Sequence, residues 1–168
     1  MSGTEETWSS SRRKETEMTL DGKGRRAKGQ RGELATVHEI RKAVGPGYVV
    51  RRGSQSREGR DDPDVVVEGM PLWIEVKTWG ARHSWTSQVE ALCQAEQACL
   101  ESEEPSQIPI AVIRESRRQP MALLRLEAVE WFIHGMPPWL NPPTGPVMMV
   151  AWSTLLVAIS RRVAEGHL

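Results

Sequence analysis

The sequence has few of the features on which secreted and membrane-spanning proteins depend. It contains two cysteines in 168 residues, Cys93 and Cys99, and their spacing within a predicted helix suits neither a disulfide nor a zinc site. Its longest apolar run, Val147 to Ile159, includes polar residues and is too short to span a bilayer. The polar N-terminal residues do not match a signal peptide. We therefore expect a protein of a reducing, cytoplasmic compartment with no membrane association.

A net charge is also lacking, since 22 basic residues balance 22 acidic ones. The charge is nevertheless unevenly distributed. From Lys23 to Arg60 there are eleven Lys and Arg residues and three Glu residues, a local net charge of +8. A basic segment on a neutral chain indicates a surface that binds a polyanion, and argues against a generally adhesive basic protein.

Three parts of the chain differ in composition. Residues 1–27 are rich in Ser, Thr, Glu, Arg and Lys with almost no apolar periodicity, which predicts a flexible or loosely attached basic and polar arm. Residues 28–135 contain the apolar segments of a folded core. Residues 136–168 comprise a proline-rich connector and an apolar element from Val147 onward, whose type, strand or helix, is not decided by its periodicity.

The first elements of the core are a helix and a strand. Apolar residues recur every three or four positions between Leu34 and Val44, which indicates an amphipathic helix that ends at Gly45. Tyr48–Arg52 predicts a strand, and residues 53–63 form a Gly/Ser/Arg-rich loop. Such loops often carry functional residues when a rigid sheet holds them.

The stretch from Asp64 to Lys77 predicts a β-hairpin. Its first half, Asp64–Val67, is a short run of β-branched residues, and its second half, Leu72–Lys77, is an apolar run that carries two charges. The intervening Glu68–Pro71 contains Gly and Pro and suits a tight connection. The predicted hairpin thus consists of a strand, a turn and a second strand within fourteen residues.

Three charged side chains of the hairpin are predicted to converge. Because side chains alternate in direction along a strand, Glu75 and Lys77 share one face. Asp64, at the start of the first strand, can meet Glu75 across the ladder. Two carboxylates beside a lysine describe a site for a hard cation with a cationic helper. The alternative is an edge hairpin whose charged residues face water.

The remainder of the core predicts a helix, two strands and a short helix. The segments are Ser87–Leu100, Ile108–Arg114, Met121–Leu126 and Glu127–His134. The predicted order of the core is therefore α-β-β-β-α-β, with further elements after it.

These residues resemble the PD-(D/E)XK nuclease superfamily. The resemblance is carried by Glu33 on the first helix, Pro63-Asp64 at the start of a strand, and Glu75-Val76-Lys77 on the next strand, in the matching element order. It covers roughly residues 28–126. The compact size and the Gly-rich opening before Glu33 are most similar to archaeal and phage-type Holliday junction resolvases.

The resemblance implies a fold and a domain assignment. The expected fold is α/β, a restriction-endonuclease-like core (α-β-β-β-α-β) with a mixed central sheet flanked by helices. Residues 28–135 would form the nuclease core. Residues 136–168 lie outside the resemblance, and dimerisation is one role open to them.

The resemblance also implies a metal site. Asp64 and Glu75 would be the carboxylate ligands of Mg²⁺, which Mn²⁺ would be able to replace. The carbonyl of Val76 would be a further ligand, and Glu33 would complete the site directly or through water. Lys77 would orient or help deprotonate the attacking water and stabilise the developing charge.

Further contacts are expected outside the metal site. Gln94 would be the polar residue that the second helix supplies, with Gln88 and Gln97 as alternatives. Basic residues of the first helix, the first strand and the following loop would contact DNA phosphates. These residues are Lys28, Arg31, Arg51, Arg52, Arg57 and Arg60.

The implied function is that of a metal-dependent, structure-specific endonuclease that hydrolyses phosphodiester bonds at four-way (Holliday) DNA junctions. It would act in the cytoplasm of a prokaryote or of a phage-infected host cell, on branched or duplex DNA. Two alternatives remain. The first is a PD-(D/E)XK nuclease with another DNA target, restriction-like or repair, and the second is a non-catalytic DNA-binding module.

A homodimer is expected as well, because a resolvase cuts two strands symmetrically. The apolar residues near the C-terminus would form either the dimer interface or part of the domain core, and the sequence leaves both interpretations open. These residues are Trp131, Phe132, Met136, Trp139, Met148, Met149 and Trp152.

Overall fold

The computed structural model describes residues 5–54, 62–102, 107–134 and 145–166, with side chains from residue 22 onward except that of His134. Its elements follow one another as helix, three strands, helix, two strands, helix, strand and helix. In chain order they are α1 (Glu5–Val44), β1 (Val50–Arg52), β2 (Val65–Val67), β3 (Leu72–Trp79), α2 (Trp85–Glu101), β4 (Ile108–Glu115), β5 (Met121–Arg125), α3 (Leu126–His134), β6 (Val147–Ala151) and α4 (Trp152–Ala164).

The six strands form one mixed sheet in the spatial order β1-β2-β3-β4-β5-β6. The pair β3 and β4 is parallel over eight residue pairs, and every other neighbouring pair of strands is antiparallel. A parallel pair needs a crossover connection, which α2 supplies between β3 and β4. The predicted α/β architecture, a mixed sheet flanked by helices, is therefore confirmed.

Alternation along β3 divides the core between the two faces of the sheet. Ile74 and Val76 pack with Val37 and Ile40 of α1 in the largest apolar cluster. On the other face, Trp73 packs against α2. Helix α1 thus covers one face of the central strand, and α2 covers the opposite one.

Helix α1 extends much further towards the N-terminus than predicted. It begins at Glu5, so most of the segment predicted to be a flexible arm has a helical backbone, and residues 22–27 of it are exposed. Proline is absent from this stretch, and Glu, Arg, Lys and Ala favour helix even without an apolar stripe. The helix ends as predicted, at Gly45, whose φ of +78° suits a glycine and whose N–H donates to the carbonyl of Arg41. Among the described residues, no helix combines the length and apolar composition needed to cross a bilayer.

The C-terminal apolar stretch is a strand followed directly by a helix. Residues Val147–Ala151 pair with β5 as the edge strand β6, and α4 begins at Trp152. Both kinds of element occur within one apolar run, which explains why its periodicity favoured neither.

The residues considered for a dimer interface divide between core and surface. Trp131, Phe132 and Trp152 are buried in the largest apolar cluster of the protomer, so the core interpretation is correct for these three. Of the two methionines of β6, Met149 is exposed and Met148 is half-buried. Met136 and Trp139 lie outside the described residues.

A polar network joins α1 to the sheet and to α4. The guanidinium of Arg114 on β4 donates to Thr36 Oγ1 over 3.0 Å and forms an ion pair with Glu39. The same carboxylate of Glu39 accepts a hydrogen bond of 2.7 Å from the indole N–H of Trp152. One acidic side chain on α1 thereby connects β4 and α4.

Gly32 of α1 lies directly against Thr78 of β3. A Cβ atom at this position would overlap Thr78 Oγ1 and lie 3.3 Å from Thr78 Cβ. The close approach therefore depends on the absence of a side chain.

We predict that Gly32→Ala destabilises the protein although alanine favours helix. The added methyl group overpacks the contact with Thr78, which costs about 1–3 kcal/mol in the free energy of unfolding. Urea denaturation followed by circular dichroism measures the change. Gly24→Ala is the matched control, because nothing lies within 4 Å of its added Cβ. It should stabilise α1 by about 0.5–1 kcal/mol. Equal changes in the free energy of unfolding at the two positions would contradict the close contact between Gly32 and Thr78.

The two cysteines occupy different environments. Cys93 is exposed, whereas Cys99 is buried beside Trp73 and Ala95. Burial raises the pKa of the Cys99 thiol to about 11, and a backbone hydrogen bond with Gln107 has a smaller, lowering effect. Cys99 is thus a neutral thiol at physiological pH.

We predict that only Cys93 reacts with a disulfide reagent in the native protein at neutral pH, and that both thiols react after denaturation.

The raised pKa of Cys99 also predicts a pH dependence of stability. Because the pKa of Cys99 is raised in the folded state, its contribution to stability is complete below pH 9 and is lost as the pH rises towards 11. The free energy of unfolding should fall by about 2–3 kcal/mol over that range. Cys99→Ala should remove this part of the pH dependence, and Cys93→Ala should leave it unchanged.

Candidate active site

The strands β2 and β3 pair only briefly and then separate. Val65 opposite Ile74 is the one residue pair between them, and both side chains lie in the apolar cluster beneath α1. The next residues in register are Asp64 and Glu75, whose side chains point to the other face. The Asp64 carboxylate replaces the next ladder hydrogen bond, since its Oδ2 accepts from the Val76 N–H over 2.8 Å. Asp64 thus contacts β3 at this fork between the two strands, and its predicted meeting with the Glu75 carboxylate stays a prediction.

Glu75 and Lys77 lie side by side on the face of β3 that α2 covers. Lys77 Nζ is 4.0 Å from Glu75 Oε2, and the two side chains are 31% and 19% exposed. Both side chains are therefore partly buried and partly in contact with solvent. Both remain accessible to a small ion or a phosphate group while part of their solvation is lost, a condition that strengthens electrostatic interactions.

The oxygen donors at the fork suit a partly hydrated magnesium ion. Mg²⁺ retains several waters and is commonly bound by one or two carboxylates together with substrate phosphates. Asp64, Glu75 and the carbonyl of Val76 are donors of this kind. Among the residues that the structure describes, no group of three or more His, Cys, Asp or Glu side chains is arranged to hold a metal ion. The fork therefore offers a two-carboxylate site and not a closed cage.

Glu33 is held on the opposite side of the sheet. It is buried on α1, and its Oε2 accepts a hydrogen bond of 2.7 Å from Arg52 Nε. Arg52 is the register partner of Val65 and shares its face, whereas Asp64 and Glu75 point away from that face. The structure thus pairs the Glu33 charge with a guanidinium and does not bring it into a group with the two carboxylates of the fork.

The glutamines of α2 point in different directions. Gln94, the predicted contributor to the site, is exposed on the solvent side of the helix, and Gln97 is also exposed and bonds Glu101. Gln88 is buried, and its Nε2 donates to the carbonyl of His83 over 3.2 Å. Of the three, Gln88 is the one on the face that covers Lys77.

The sequence contained a signal for Gln88. Positions 88, 92, 95 and 99 follow one helical stripe, and the last three are the apolar residues Leu92, Ala95 and Cys99. A glutamine in line with them is expected to face the sheet. Gln94 lies off this stripe, in agreement with its exposure.

Near one end of the sheet lie four of the predicted DNA-binding residues, which are Lys28, Arg31, Arg51 and Arg52. Because β1 and β3 both run antiparallel to β2, Arg52, Asp64 and Lys77 are all near the end where β2 begins. Arg31 is exposed on α1, and Lys28 lies beside Gly80, whose added Cβ would be 3.3 Å from Lys28 Nζ.

Two arginines of β1 have acidic partners, and two others are not described. Arg51 pairs with Glu68 over 3.2 Å, with both side chains about half exposed, and Arg52 pairs with the buried Glu33. Arg57 and Arg60 lie outside the described residues. Arg51 therefore remains accessible to a phosphate, whereas Arg52 is engaged.

One ion pair behind α2 anchors the helix to the sheet. Arg125 of β5 contacts Glu96 through two hydrogen bonds of 2.6 and 2.8 Å. The Glu96 carboxylate raises the pKa of the Arg125 guanidinium above its ordinary value, although desolvation opposes this. The pair holds α2 over the face that carries Glu75 and Lys77.

We compared the chain with known proteins and found no relative. No family model matches the chain, and comparison with curated proteins and with solved structures finds no match. The arrangement of Asp64, Glu75 and Lys77 at the fork is therefore the basis for assigning a function.

Proposed function

We propose that the protein is a metal-dependent nuclease of the PD-(D/E)XK type that hydrolyses phosphodiester bonds in DNA. The observation that carries the proposal is the fork between β2 and β3. There Asp64 contacts the Val76 N–H over 2.8 Å, Glu75 is next in register, and Lys77 Nζ lies 4.0 Å from Glu75 Oε2. One carboxylate thus caps the edge of β3, and a second carboxylate lies beside a lysine on the same strand.

The chemistry of phosphodiester hydrolysis explains the residue types. The reaction needs a positioned water and neutralisation of the negative charge that develops on the phosphoryl oxygens. A divalent cation held by Asp64, Glu75 and the Val76 carbonyl would supply Lewis-acid neutralisation of that charge. The Lys77 ammonium, held near the same carboxylate, would orient the water and stabilise the transition state electrostatically.

Two further observations support this proposal. The order α1-β1-β2-β3-α2-β4, with β3 parallel to β4, agrees with a restriction-endonuclease-like core. The exposed Arg31 and the accessible Arg51 supply positive charge for phosphate contacts near the same end of the sheet. We propose the four-way junction as the target and a homodimer as the active form.

A non-catalytic DNA-binding module is the second candidate. It is favoured by the pairing of Glu33 with Arg52, which withholds a third carboxylate from the fork. A PD-(D/E)XK nuclease with another DNA target requires the same site and differs only in substrate. Cleavage assays separate these possibilities.

We predict Mg²⁺-dependent, paired and symmetric nicks on a labelled synthetic four-way junction. Addition of EDTA should abolish them. Asp64→Asn, Glu75→Gln and Lys77→Met should each lower the cleavage rate by about 10²–10³-fold, because each removes an interaction with the reacting phosphate or its cation.

Glu68→Gln is the matched control, since Glu68 carries the same charge on the exposed turn between the same strands. Its activity should equal that of the wild type, and circular dichroism should show that every variant is folded. Equal cutting of linear duplex would move the assignment to a nuclease with another target. Tight DNA binding without cutting in Mg²⁺ or Mn²⁺ would leave the non-catalytic module.

Glu33 permits a separate prediction. If it acts mainly as the partner of Arg52, Glu33→Gln should lower the free energy of unfolding by about 1–2 kcal/mol. The cleavage rate at a temperature where the variant is folded should then change less than tenfold. A loss of activity as large as that of Glu75→Gln, without loss of stability, would instead make Glu33 part of the metal site.

A further inference from the structure

The end of the sheet beside Lys77 carries an aromatic group that the proposed hydrolysis does not use. Trp79 follows Lys77 by two residues on the same face of β3, about 7 Å further along the strand. The ring of His83 stacks on that of Trp79, with centroids 4.0 Å apart and planes inclined by 18°. Trp85 comes two residues later and is 51% exposed. We call Trp79, His83 and Trp85 the aromatic edge group.

The loop that carries this group is held in place by hydrogen bonds. The backbone N–H of His83 donates to Glu115 Oε1 over 2.8 Å, and its carbonyl accepts from the buried Gln88 side chain. Ser84 caps α2 by accepting from the Ser87 N–H. Trp85, the first residue of α2, is therefore exposed on a backbone that these hydrogen bonds hold in place.

The adjoining turn between β4 and β5 adds positive charge in an unusual conformation. Arg117 has a φ of +62°, a region that side chains other than Gly, Asn and Asp rarely adopt. Both Arg117 and the nearby Arg118 are exposed, and Arg118 pairs with Glu115, the residue that anchors the His83 loop. The exposed Arg82 lies within the loop itself. Aromatic rings and guanidinium groups are thus presented together.

We infer that the aromatic edge group binds unpaired nucleotides of a DNA strand next to the scissile phosphate. Bases that are not paired stack on exposed aromatic rings, and adjacent cations contact the phosphates of the same strand. A fully paired duplex has no exposed base face to offer to Trp85. The inference rests on the proposed function for the choice of DNA, and it requires that nucleotides at the branch point of a bound junction be unpaired.

Binding without divalent cations tests the inference separately from catalysis. Fluorescence anisotropy in EDTA compares a splayed-arm DNA, which has a duplex stem and two unpaired arms, with a blunt duplex of the same stem. The wild-type protein should bind the splayed arm more tightly. Trp85→Ala should weaken splayed-arm binding about tenfold and change blunt-duplex binding less than twofold. Trp85→Phe should retain most of the affinity, and Val157→Ala is the control for an exposed apolar residue remote from this edge.

Arg117→Gly supplies a second test in which stability and binding change in opposite directions. Glycine adopts a positive φ without strain, so the denaturation midpoint should stay equal or rise. Splayed-arm affinity should nevertheless fall about three- to fivefold, with a shallower salt dependence. Arg161→Ala, an exposed arginine on α4, should leave affinity unchanged.

The outcomes distinguish this inference from the proposed function. Splayed-arm binding that depends on Trp85, in a protein that cleaves no DNA with Mg²⁺, would support the inference and reject the nuclease. Cleavage of DNA by a protein that binds splayed and blunt probes equally would reject the inference alone. Unchanged splayed-arm binding by folded Trp85→Ala and Arg117→Gly would also overturn it.

Discussion

The parallel pairing of β3 with β4 determines the position of every other part of the site. Eight consecutive residues of β3 have partners on β4, so the strand cannot slip by one residue without exposing Ile74 and Val76 and burying Glu75 and Lys77. The apolar face packed beneath α1 thereby fixes the direction of the charged face. Because α2 is the crossover that a parallel pair requires, the same constraint also places a helix over Glu75 and Lys77.

Helix α1 connects this central strand to the basic end of the molecule. The absence of a side chain at Gly32 lets the helix approach Thr78. The network of Arg114, Thr36 and Glu39 fastens the helix to β4. The exposed basic residues that precede Gly32 consequently extend from the end of the sheet where β2 and β3 separate. Exposed positive charge and the carboxylates of the fork therefore lie near the same end of the sheet.

The two faces of the sheet have different roles in the proposed chemistry. Beneath α1, Glu33 is neutralised by Arg52 in a mainly apolar setting. On the face covered by α2, Glu75, Lys77 and Trp79 follow one another along β3, with Asp64 at the fork. His83 and Trp85 lie beyond them, in the loop after β3 and at the start of α2. Hydrolysis and strand binding would therefore use one continuous surface. The β4–β5 turn with Arg117 forms its outer limit.

The sequence by itself determined most of the elements and the directions of the side chains along β3. Periodicity and strand-forming residues predicted the order of helices and strands. Alternation predicted that Glu75 and Lys77 share a face, because the direction of a side chain along a strand is a local property. Local patterns gave no sign that α1 continues to Glu5, since that stretch has no apolar stripe, and they placed the strand and helix after Val147 in one undivided run.

Only the tertiary structure decided which side chains meet. It paired Glu33 with Arg52, and it buried Trp131 and Trp152 while exposing Trp85. These outcomes depend on the face of the sheet that each helix covers and on the register between strands distant in sequence. No residue carries that information in its own type or spacing, because it arises from packing of the whole core.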